Sequence, residues 1–215
     1  MRIRTLAFFL LLFITSGVQA APLEPLLIDN FNAGLSPNWK HEQFSGMNNY
    51  SVVDEGGEKV LRGESHGTAS ALVYKKEFRL QAYPILSWRW KVDDILADGD
   101  ARSKNGDDYA ARIYIVFPHW FVPKTRSLNY IWANKLPQGA ELPNSYAANS
   151  ILIAVESGRA NSGRWINERR NVREDYRRIF GEEPPPVGAI AIMTDSDDTK
   201  AHSLAWFDDI RFERE

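Results

Sequence analysis

Hydrophobic and polar positions alternate along two segments in the middle of the chain, LSWRWKV at 86–92 and YAARIYIVF at 109–117. A period of two is typical of β-strands, because successive side chains of a strand point to opposite faces of the sheet. One face of each predicted strand is apolar and predicts a buried surface. The opposite faces carry four side chains that would lie together if the two strands share a sheet: Arg89, Lys91, Arg112 and Tyr114.

Shorter apolar or alternating runs recur along the rest of the chain, separated by Gly, Asn, Asp and Pro. They lie at 26–31, 50–53, 59–63, 70–80, 128–133, 150–156, 187–194 and 203–212. About ten short strands with turn residues between them favour an antiparallel sandwich over strands that alternate with helices. We therefore predict an all-β fold, a jelly-roll or galactose-binding-like β-sandwich, in one domain over 21–215.

One short helix is predicted near the C-terminus. Asn171 is a favourable N-cap, Glu174 lies three residues later as in a capping box, and Gly181 follows as a stop. Prolines at 184–186 then prevent the helix from continuing. We expect this helix to cap one end or cover one edge of the sandwich.

The first twenty residues resemble a secretory signal peptide. Arg2 and Arg4 give a positive start, Leu6 to Ile14 is an apolar run, and the small residue Ala20 ends the segment. The alternative is a membrane anchor, but this run is well short of the roughly 20 residues that span a bilayer, and no later stretch approaches that length. We expect cleavage near Ala20 and a periplasmic or secreted protein.

Charge and composition exclude several function classes. The chain has 26 basic and 28 acidic residues, so without Arg2 and Arg4 the net charge is about −4 (24 − 28), whereas nucleic-acid binding needs concentrated positive charge. There is no cysteine, which excludes disulfides and thiolate metal sites. The four histidines have no HxH or HExxH spacing, so a zinc enzyme is disfavoured: they are His41, His66, His119 and His202.

Four blocks of the sequence resemble the successive motifs of a bacterial family of exported proteins of unknown function, DUF3047. They are SWRWKVDD with GDDYAARIYIVF, NYIWAN, GRWINERRNVREDYRRIFG and AIMTDSDDTKAHSLAWFDDIRF, which cover most of the chain from Tyr83 to Phe212. The resemblance implies a secreted β-sandwich and brings no established activity. The chain ends, LLIDNFNAGLSPNW and LAWFDDIRF, also resemble the terminal strands of jelly-roll carbohydrate-binding modules, in which an adjacent loop often holds calcium.

A saccharide site needs apolar platforms for the CH faces of sugar rings and fixed polar groups for the hydroxyls. We expect a polar or acidic saccharide, or another anionic ligand, to bind the concave face without catalysis. The candidate contacts are Arg89, Lys91, Asp108, Arg112, Tyr114, Trp132, Glu156, Trp165 and Arg169. The alternative is a fully paired structural network, for example an ion pair of Asp107 or Asp108 with Arg89 or Arg112.

Two other functions remain open. Arg112 and Tyr114 would suit a polysaccharide lyase, in which Arg neutralises a uronate and Tyr moves a proton. A hydrolase would need a pair of carboxyl groups that the sequence does not identify. The segment PHWFVP, with His119, Trp120 and Phe121, would instead form a lip that holds an envelope protein partner.

A cluster of acids near the C-terminus suggests a structural calcium ion. Asp195, Asp197 and Asp198 offer the hard oxygen ligands that calcium prefers. The spacing lacks the glycine and bidentate glutamate of an EF-hand loop. The alternative is a turn rich in Asp, because such residues favour turns without any ion.

Overall fold

The computed structural model describes residues 24–215, so the predicted signal peptide, 1–20, lies outside the described residues. Within that range thirteen strands form two sheets, and one α-helix lies near the C-terminus. The prediction of an all-β sandwich with one short helix is confirmed. No helix within 24–215 is both long and apolar enough to cross a membrane.

The first sheet has six strands. They are β1 (Leu26–Asp29), β3 (Asn49–Glu55), β4 (Glu58–His66), β6 (Ile85–Val92), β11 (Ile166–Asn171) and β13 (His202–Glu213). Their spatial order is β11-β6-β13-β4-β3, and β1 pairs with the C-terminal part of β13. All of these pairs are antiparallel.

The second sheet has seven strands. They are β2 (Trp39–Ser45), β5 (Ala69–Phe78), β7 (Arg112–Phe117), β8 (Arg126–Ala133), β9 (Glu141–Pro143), β10 (Ser150–Ser157) and β12 (Val187–Asp195). Their order is β2-β5-β12-β7-β8-β10-β9. The sheet is mixed rather than purely antiparallel, because β8 and β10 run parallel.

The core lies between the two sheets and is rich in aromatic rings. Trp88 and Trp90 of β6 meet edge to face with their centroids 5.3 Å apart. Trp90 lies 6.0 Å from Trp132 of β8, and Trp88 lies 5.6 Å from Tyr130 of the same strand. Aromatic pairs at such distances stabilise a core beyond the area that they bury, and they join one sheet to the other.

Helix α1 (Val172–Phe180) begins and ends where the sequence predicts. The side chain of Asn171 accepts a hydrogen bond from the backbone N–H of Glu174 at 3.1 Å. Gly181 ends the helix in the left-handed conformation, with φ of 74°. The carboxylate of Asp175 accepts a hydrogen bond of 2.9 Å from the hydroxyl of Tyr130, which ties the helix to β8.

Candidate functional site

The outer face of the seven-stranded sheet has a floor of small side chains. Because Ile113 and Ile115 of β7 are buried in the core, strand alternation points Arg112 and Tyr114 to this outer face. Beside them, β5 and β12 contribute a patch that packs against Tyr114: Ala69, Ala71, Ala191 and Met193. Short side chains leave space above the sheet.

That space is a cleft of about 530 Å³ whose lining includes Tyr114 and two exposed aromatic residues. Phe44 is 63% exposed and Tyr146 is 60% exposed. Phe44 belongs to β2 at one edge of the sheet, and Tyr146 lies in the loop between β9 and β10 at the other edge. The polar part of the lining consists of Ser45, Asp107, Arg112, Ser127, Asn144, Ser150, Asp195, Asp197 and Asp198. The volume lies within the roughly 300–1,000 Å³ of small-molecule sites.

Arg112 is 4% exposed and already has partners. Its Nη2 donates a hydrogen bond to Asp195, and its Nη1 lies 3.8 Å from Oδ2 of Asp107. The rings of Tyr109 and Tyr114 lie 5.0 and 5.5 Å from the guanidinium carbon. Burial alone would lower the pKa of Arg112, but Asp195 and the other neighbours raise it above its usual value. The ion pair with Asp107 that the alternative predicted is therefore present, but the main partner is Asp195, and Nε of Arg112 is buried without a hydrogen-bond partner in the described residues.

Three carboxylates meet beside this arginine. Oxygen atoms of Asp108, Asp195 and Asp197 all lie within 4.8 Å of one another. Burial raises the pKa of Asp195 well above its usual value, Arg112 opposes the rise, and Asp108 adds to it. Burial and the neighbouring carboxylates also raise the pKa of Asp197. The set shares two members with the predicted calcium ligands.

Asp198, the third predicted calcium ligand, is not part of this cluster and contacts Tyr146 instead. Its Oδ1 accepts a hydrogen bond of 2.7 Å from the hydroxyl of Tyr146, which raises the pKa of Tyr146 to about 12. Asp108 takes its place in the cluster and accepts hydrogen bonds from the backbone N–H groups of Thr199 at 2.6 Å and Asp198 at 3.3 Å. Asp108 and Asp195 of this cluster thus already have donors from the chain, which favours the turn rich in Asp over a bound calcium ion.

Tyr114 lines the cleft, and its hydroxyl oxygen has Asn129 of β8 as a donor, whereas its O–H has only a weak acceptor in the protein. The hydroxyl lies 3.9 Å from the sulfur of Met193, and a thioether sulfur is a weak acceptor. Burial raises the pKa of Tyr114 above its usual value. The phenol therefore stays protonated near neutral pH and is suited to donate a hydrogen bond to a ligand.

The prediction that Arg89 and Lys91 share a face with Arg112 is wrong. Strand β6 belongs to the six-stranded sheet and β7 to the seven-stranded sheet, so the two pairs of side chains lie on opposite outer surfaces. Arg89 donates to Asp208 and to Glu58, both at 2.5 Å. Lys91 pairs with Glu55. The 19 residues at 93–111 carry the chain from one sheet to the other.

Trp165 and Arg169 also lie away from the cleft. The ring of Trp165 stacks over the guanidinium of Arg89 at 4.8 Å, on the outer surface of the six-stranded sheet. Arg169 lies on β11 at an edge of that sheet, with its Nε 3.9 Å from a carboxylate oxygen of Glu213. The stretch before the helix is thus an edge strand of the other sheet, and the prediction that Trp165 and Arg169 contact the same ligand as Arg112 is wrong.

Trp132 and Glu156 are buried and do not line the cleft. Trp132 is a core residue whose indole N–H donates to the carbonyl of Gly158 at 3.0 Å. Strict alternation would place Glu156 on the outer face with Ala154. A β-bulge between these two residues shifts the register, so that Glu156 lies opposite Trp132, whose side chain points into the core. The expectation that Glu156 joins Arg112 and Tyr114 is therefore wrong.

The sequence pattern does not predict the two exposed aromatic residues of the cleft, Phe44 and Tyr146. Phe44 lies in WKHEQFS, a strand whose residues after Trp39 are all exposed, so it has no apolar alternation. Tyr146 lies in the loop NSYAAN, between β9 and β10. The one available signal is a single large aromatic residue in an otherwise polar segment.

The PHWFVP segment forms an exposed apolar tip. Trp120 is 90% exposed and Val122 is 75% exposed, and Phe121 between them is also exposed. The rings of Trp120 and Phe121 lie 6.0 Å apart. The backbone N–H of Phe121 donates to Nδ1 of His119 at 3.0 Å, which fixes the start of the tip.

A family model described as protein of unknown function (DUF3047) matches residues 37–211. This match confirms the resemblance seen in the four sequence blocks. No curated protein matches the sequence.

The solved structures that resemble the chain include carbohydrate-binding modules. One, a non-crystalline cellulose specific module (CBM28), is 18% identical with a TM-score of 0.47, over 90% of this chain and 96% of that one. A second comes from a study of the promiscuous specificity of carbohydrate-binding modules from the β-sandwich superfamily, and it is 12% identical with a TM-score of 0.46. The match covers 87% of this chain but only 62% of the length of that structure.

A third similar structure is TmCBM61 in complex with β-1,4-galactotriose. It is 14% identical with a TM-score of 0.43, over 90% of this chain and all of that one, 100%. The neighbours are thus of the kind that the chain ends suggested. Because each TM-score is below 0.5, the ligands of those proteins carry no weight for this chain.

Proposed function

This chain belongs to the DUF3047 family of proteins of unknown function, and we propose that it is a non-catalytic, saccharide-binding β-sandwich. The ligand would lie in the cleft on the outer face of the seven-stranded sheet. One observation carries this proposal: two exposed aromatic residues, Phe44 and Tyr146, line a cleft of about 530 Å³ whose floor holds hydrogen-bonding groups.

The aromatic residues supply the apolar part of sugar recognition. Both side chains are more than half exposed, and covering such a ring with the CH face of a sugar gains about 25 cal/mol for each Å² of apolar surface removed from water. The polar part comes from the hydroxyl of Tyr114 as a donor and from the carboxylate of Asp197 as an acceptor, both in the cleft lining. This combination suits a ligand with apolar ring faces and peripheral hydroxyls.

The charge of the cleft favours an uncharged saccharide over the acidic one expected from sequence. Among the lining residues four are acids, Asp107, Asp195, Asp197 and Asp198, and only Arg112 is basic. The guanidinium of Arg112 already pairs with Asp195. An anionic ligand would therefore meet a surplus of negative charge, and like charges at close range repel.

The same geometry weakens the lyase alternative. A lyase would use Arg112 to neutralise a uronate, but that guanidinium is buried between Asp195 and Asp107. It would use Tyr114 as a base, but burial raises the pKa of this phenol and keeps it protonated. Arg112 is better explained as an ion-paired residue at the base of the cleft, and Tyr114 as a hydrogen-bond donor.

A glycan array followed by calorimetry tests the proposal. The mature chain is screened against neutral oligosaccharides and polyuronates, and the best ligand is titrated into the wild type and three variants, Phe44→Ala, Tyr146→Ala and Tyr114→Phe. We expect a neutral ligand to bind. Loss of each aromatic ring should weaken binding by up to about 1.5–3 kcal/mol, the value of fully burying one large apolar side chain.

The matched control is Trp165→Ala, which removes an aromatic ring from the outer surface of the other sheet. It should bind as the wild type does. Binding that is unchanged in all three cleft variants, or lost only in Trp165→Ala, would overturn the proposal. Preferential binding of polyuronates would contradict the proposal that the ligand is uncharged.

We also propose that the protein is exported and acts in the periplasm or outside the cell. The support is the sequence pattern of the first twenty residues, with Arg2, Arg4 and an apolar run before Ala20. Expression of the full chain in a Gram-negative host should yield a periplasmic protein that begins near Ala21, as measured by intact mass. A cytoplasmic protein that retains 1–20 would contradict export.

The exposed tip favours a second function, the binding of an envelope protein partner. Trp120, Phe121 and Val122 place adjacent apolar side chains in water, and clustered exposed apolar surface marks interaction sites. A pull-down from envelope extract should lose its partner with Trp120→Ala and keep it with Phe44→Ala. Capture that is the same with both variants would exclude the tip as the contact.

A further inference from the structure

Two histidines and one glutamate meet on the outer face of the six-stranded sheet. His66, the last residue of β4, pairs with His202, the first residue of β13, although 136 positions separate them in the sequence. Their imidazole rings stack with centroids 4.3 Å apart and planes 16° apart. Glu64 lies two residues before His66 and therefore on the same face of β4.

The ligand atoms of the three side chains lie within 4.8 Å of one another. Nε2 of His66 lies 3.3 Å, and Nε2 of His202 lies 3.1 Å, from the same Oε1 of Glu64. In a tetrahedral zinc site with bonds of about 2.0–2.1 Å, two ligand atoms are separated by about 3.3–3.4 Å. The two distances thus match the edges of a zinc tetrahedron closely.

Arg62 holds the carboxylate of Glu64 in this orientation. Nη2 of Arg62 lies 3.0 Å from Oε2 of Glu64 and leaves Oε1 to the imidazoles. A carboxylate that is held in place by an outer partner is oriented to bind a metal through its other oxygen.

We propose that Glu64, His66 and His202 form a surface site for one divalent first-row transition ion, with Zn²⁺ as the best match. Two imidazole nitrogens and one carboxylate oxygen suit zinc and its neighbours, whereas calcium and magnesium require oxygen ligands. Three protein ligands leave a fourth position for water. The ion joins the ends of β4 and β13, and it lies on a different face from the saccharide cleft.

Calorimetry with the untagged mature chain and zinc chloride tests this site. We expect one Zn²⁺ per chain and a higher melting temperature, because an ion that binds only the folded state stabilises it. Calcium chloride should not compete. Cobalt(II) should give the visible absorption of a tetrahedral complex. His66→Asn and His202→Asn should each weaken zinc binding by more than the roughly 10- to 100-fold that loss of an outer partner costs.

Two control variants separate this site from other ligands. His41→Asn removes a histidine elsewhere, and Asp197→Asn removes an acid of the cleft cluster; both should bind zinc as the wild type does. Because His66 and His202 are exposed, their variants should melt as the wild type does without metal. Zinc binding that is absent, that survives the His66→Asn/His202→Asn double variant, or that falls equally in either control would overturn the proposal.

Discussion

Arg112 shows how partners decide the role of a residue. Alternation in the sequence predicts that its side chain leaves the core, and the structure agrees, because Ile113 and Ile115 on either side are buried. Alternation does not predict which residue pairs with Arg112. Asp195 is 83 positions away, and only the pairing of β7 with β12 brings it to the guanidinium.

Removal of this guanidinium should destabilise the fold. Arg112→Met would leave Asp195 and Asp107 buried without a cation, so we expect the free energy of unfolding in urea to fall by about 3–5 kcal/mol. The double variant Arg112→Met/Asp195→Asn should recover part of that loss, because the unpaired charge is gone. A loss below about 1 kcal/mol, the value of an exposed pair, would show that the ion pair is not buried in solution.

Glu168 should make stability depend on pH. Burial, with a smaller contribution from Glu156, raises its pKa to about 7, although the indole N–H of Trp90 donates to it at 3.3 Å and opposes the rise. The folded state therefore holds a proton that the unfolded state has lost above its ordinary pKa. Folding stability must then fall as pH rises from about 4.5 to about 7.

The variant Glu168→Gln tests this dependence, because a neutral amide cannot ionise. We expect it to melt at a higher temperature than the wild type at about pH 8 and at a similar temperature at about pH 5. The same difference between the two proteins at both pH values would contradict a raised pKa at Glu168.

At the scale of elements, local patterns predict strands and the helix but not the sheet to which a strand belongs. Strands β6 and β7 have the same alternation whether they are neighbours or lie in different layers, and only the course of residues 93–111 separates them. The β-bulge before Glu156 cannot be predicted from the sequence pattern either, because it changes which residues pair across the strands and leaves the order of apolar and polar residues unchanged. Sequence therefore predicted which residues face outward better than which ones meet.

The N-cap of α1 is an element whose energy can be measured directly. Asn171→Ala removes the acceptor for the backbone N–H of Glu174, and we expect a loss of about 1 kcal/mol in the free energy of unfolding. Asn171→Asp is the matched control, because a carboxylate caps a helix equally well. Equal losses in the two variants would mean that the amide group, which also donates to Glu215 at 2.8 Å, matters more than the cap.

For the whole molecule, the fold class was predictable because it follows from many short strands with turn residues between them. The cleft was not, because it combines residues from β2, β7, β12 and the loop before β10. Tyr114 alone belongs to both the predicted contact set and the aromatic lining. A site assembled from distant segments has no signature in any one of them.

The contacts of the acid cluster predict how calcium affects the melting temperature of the whole molecule. The carboxylate of Asp195 already has the guanidinium of Arg112, and that of Asp108 already has two backbone N–H donors. We therefore expect the melting temperature to be the same in millimolar calcium and in chelator. A rise with calcium that Asp197→Asn abolishes would show that an ion completes the cluster.

The cleft between Phe44 and Tyr146 is the proposed ligand site. Its most direct test is a titration of the ¹⁵N-labelled mature chain with the neutral oligosaccharide selected on the array, followed by backbone amide shifts. We predict that the largest shifts map to the surroundings of Phe44, Tyr114 and Tyr146. Shifts that instead map to Arg89 and Trp165, on the outer surface of the six-stranded sheet, would contradict it.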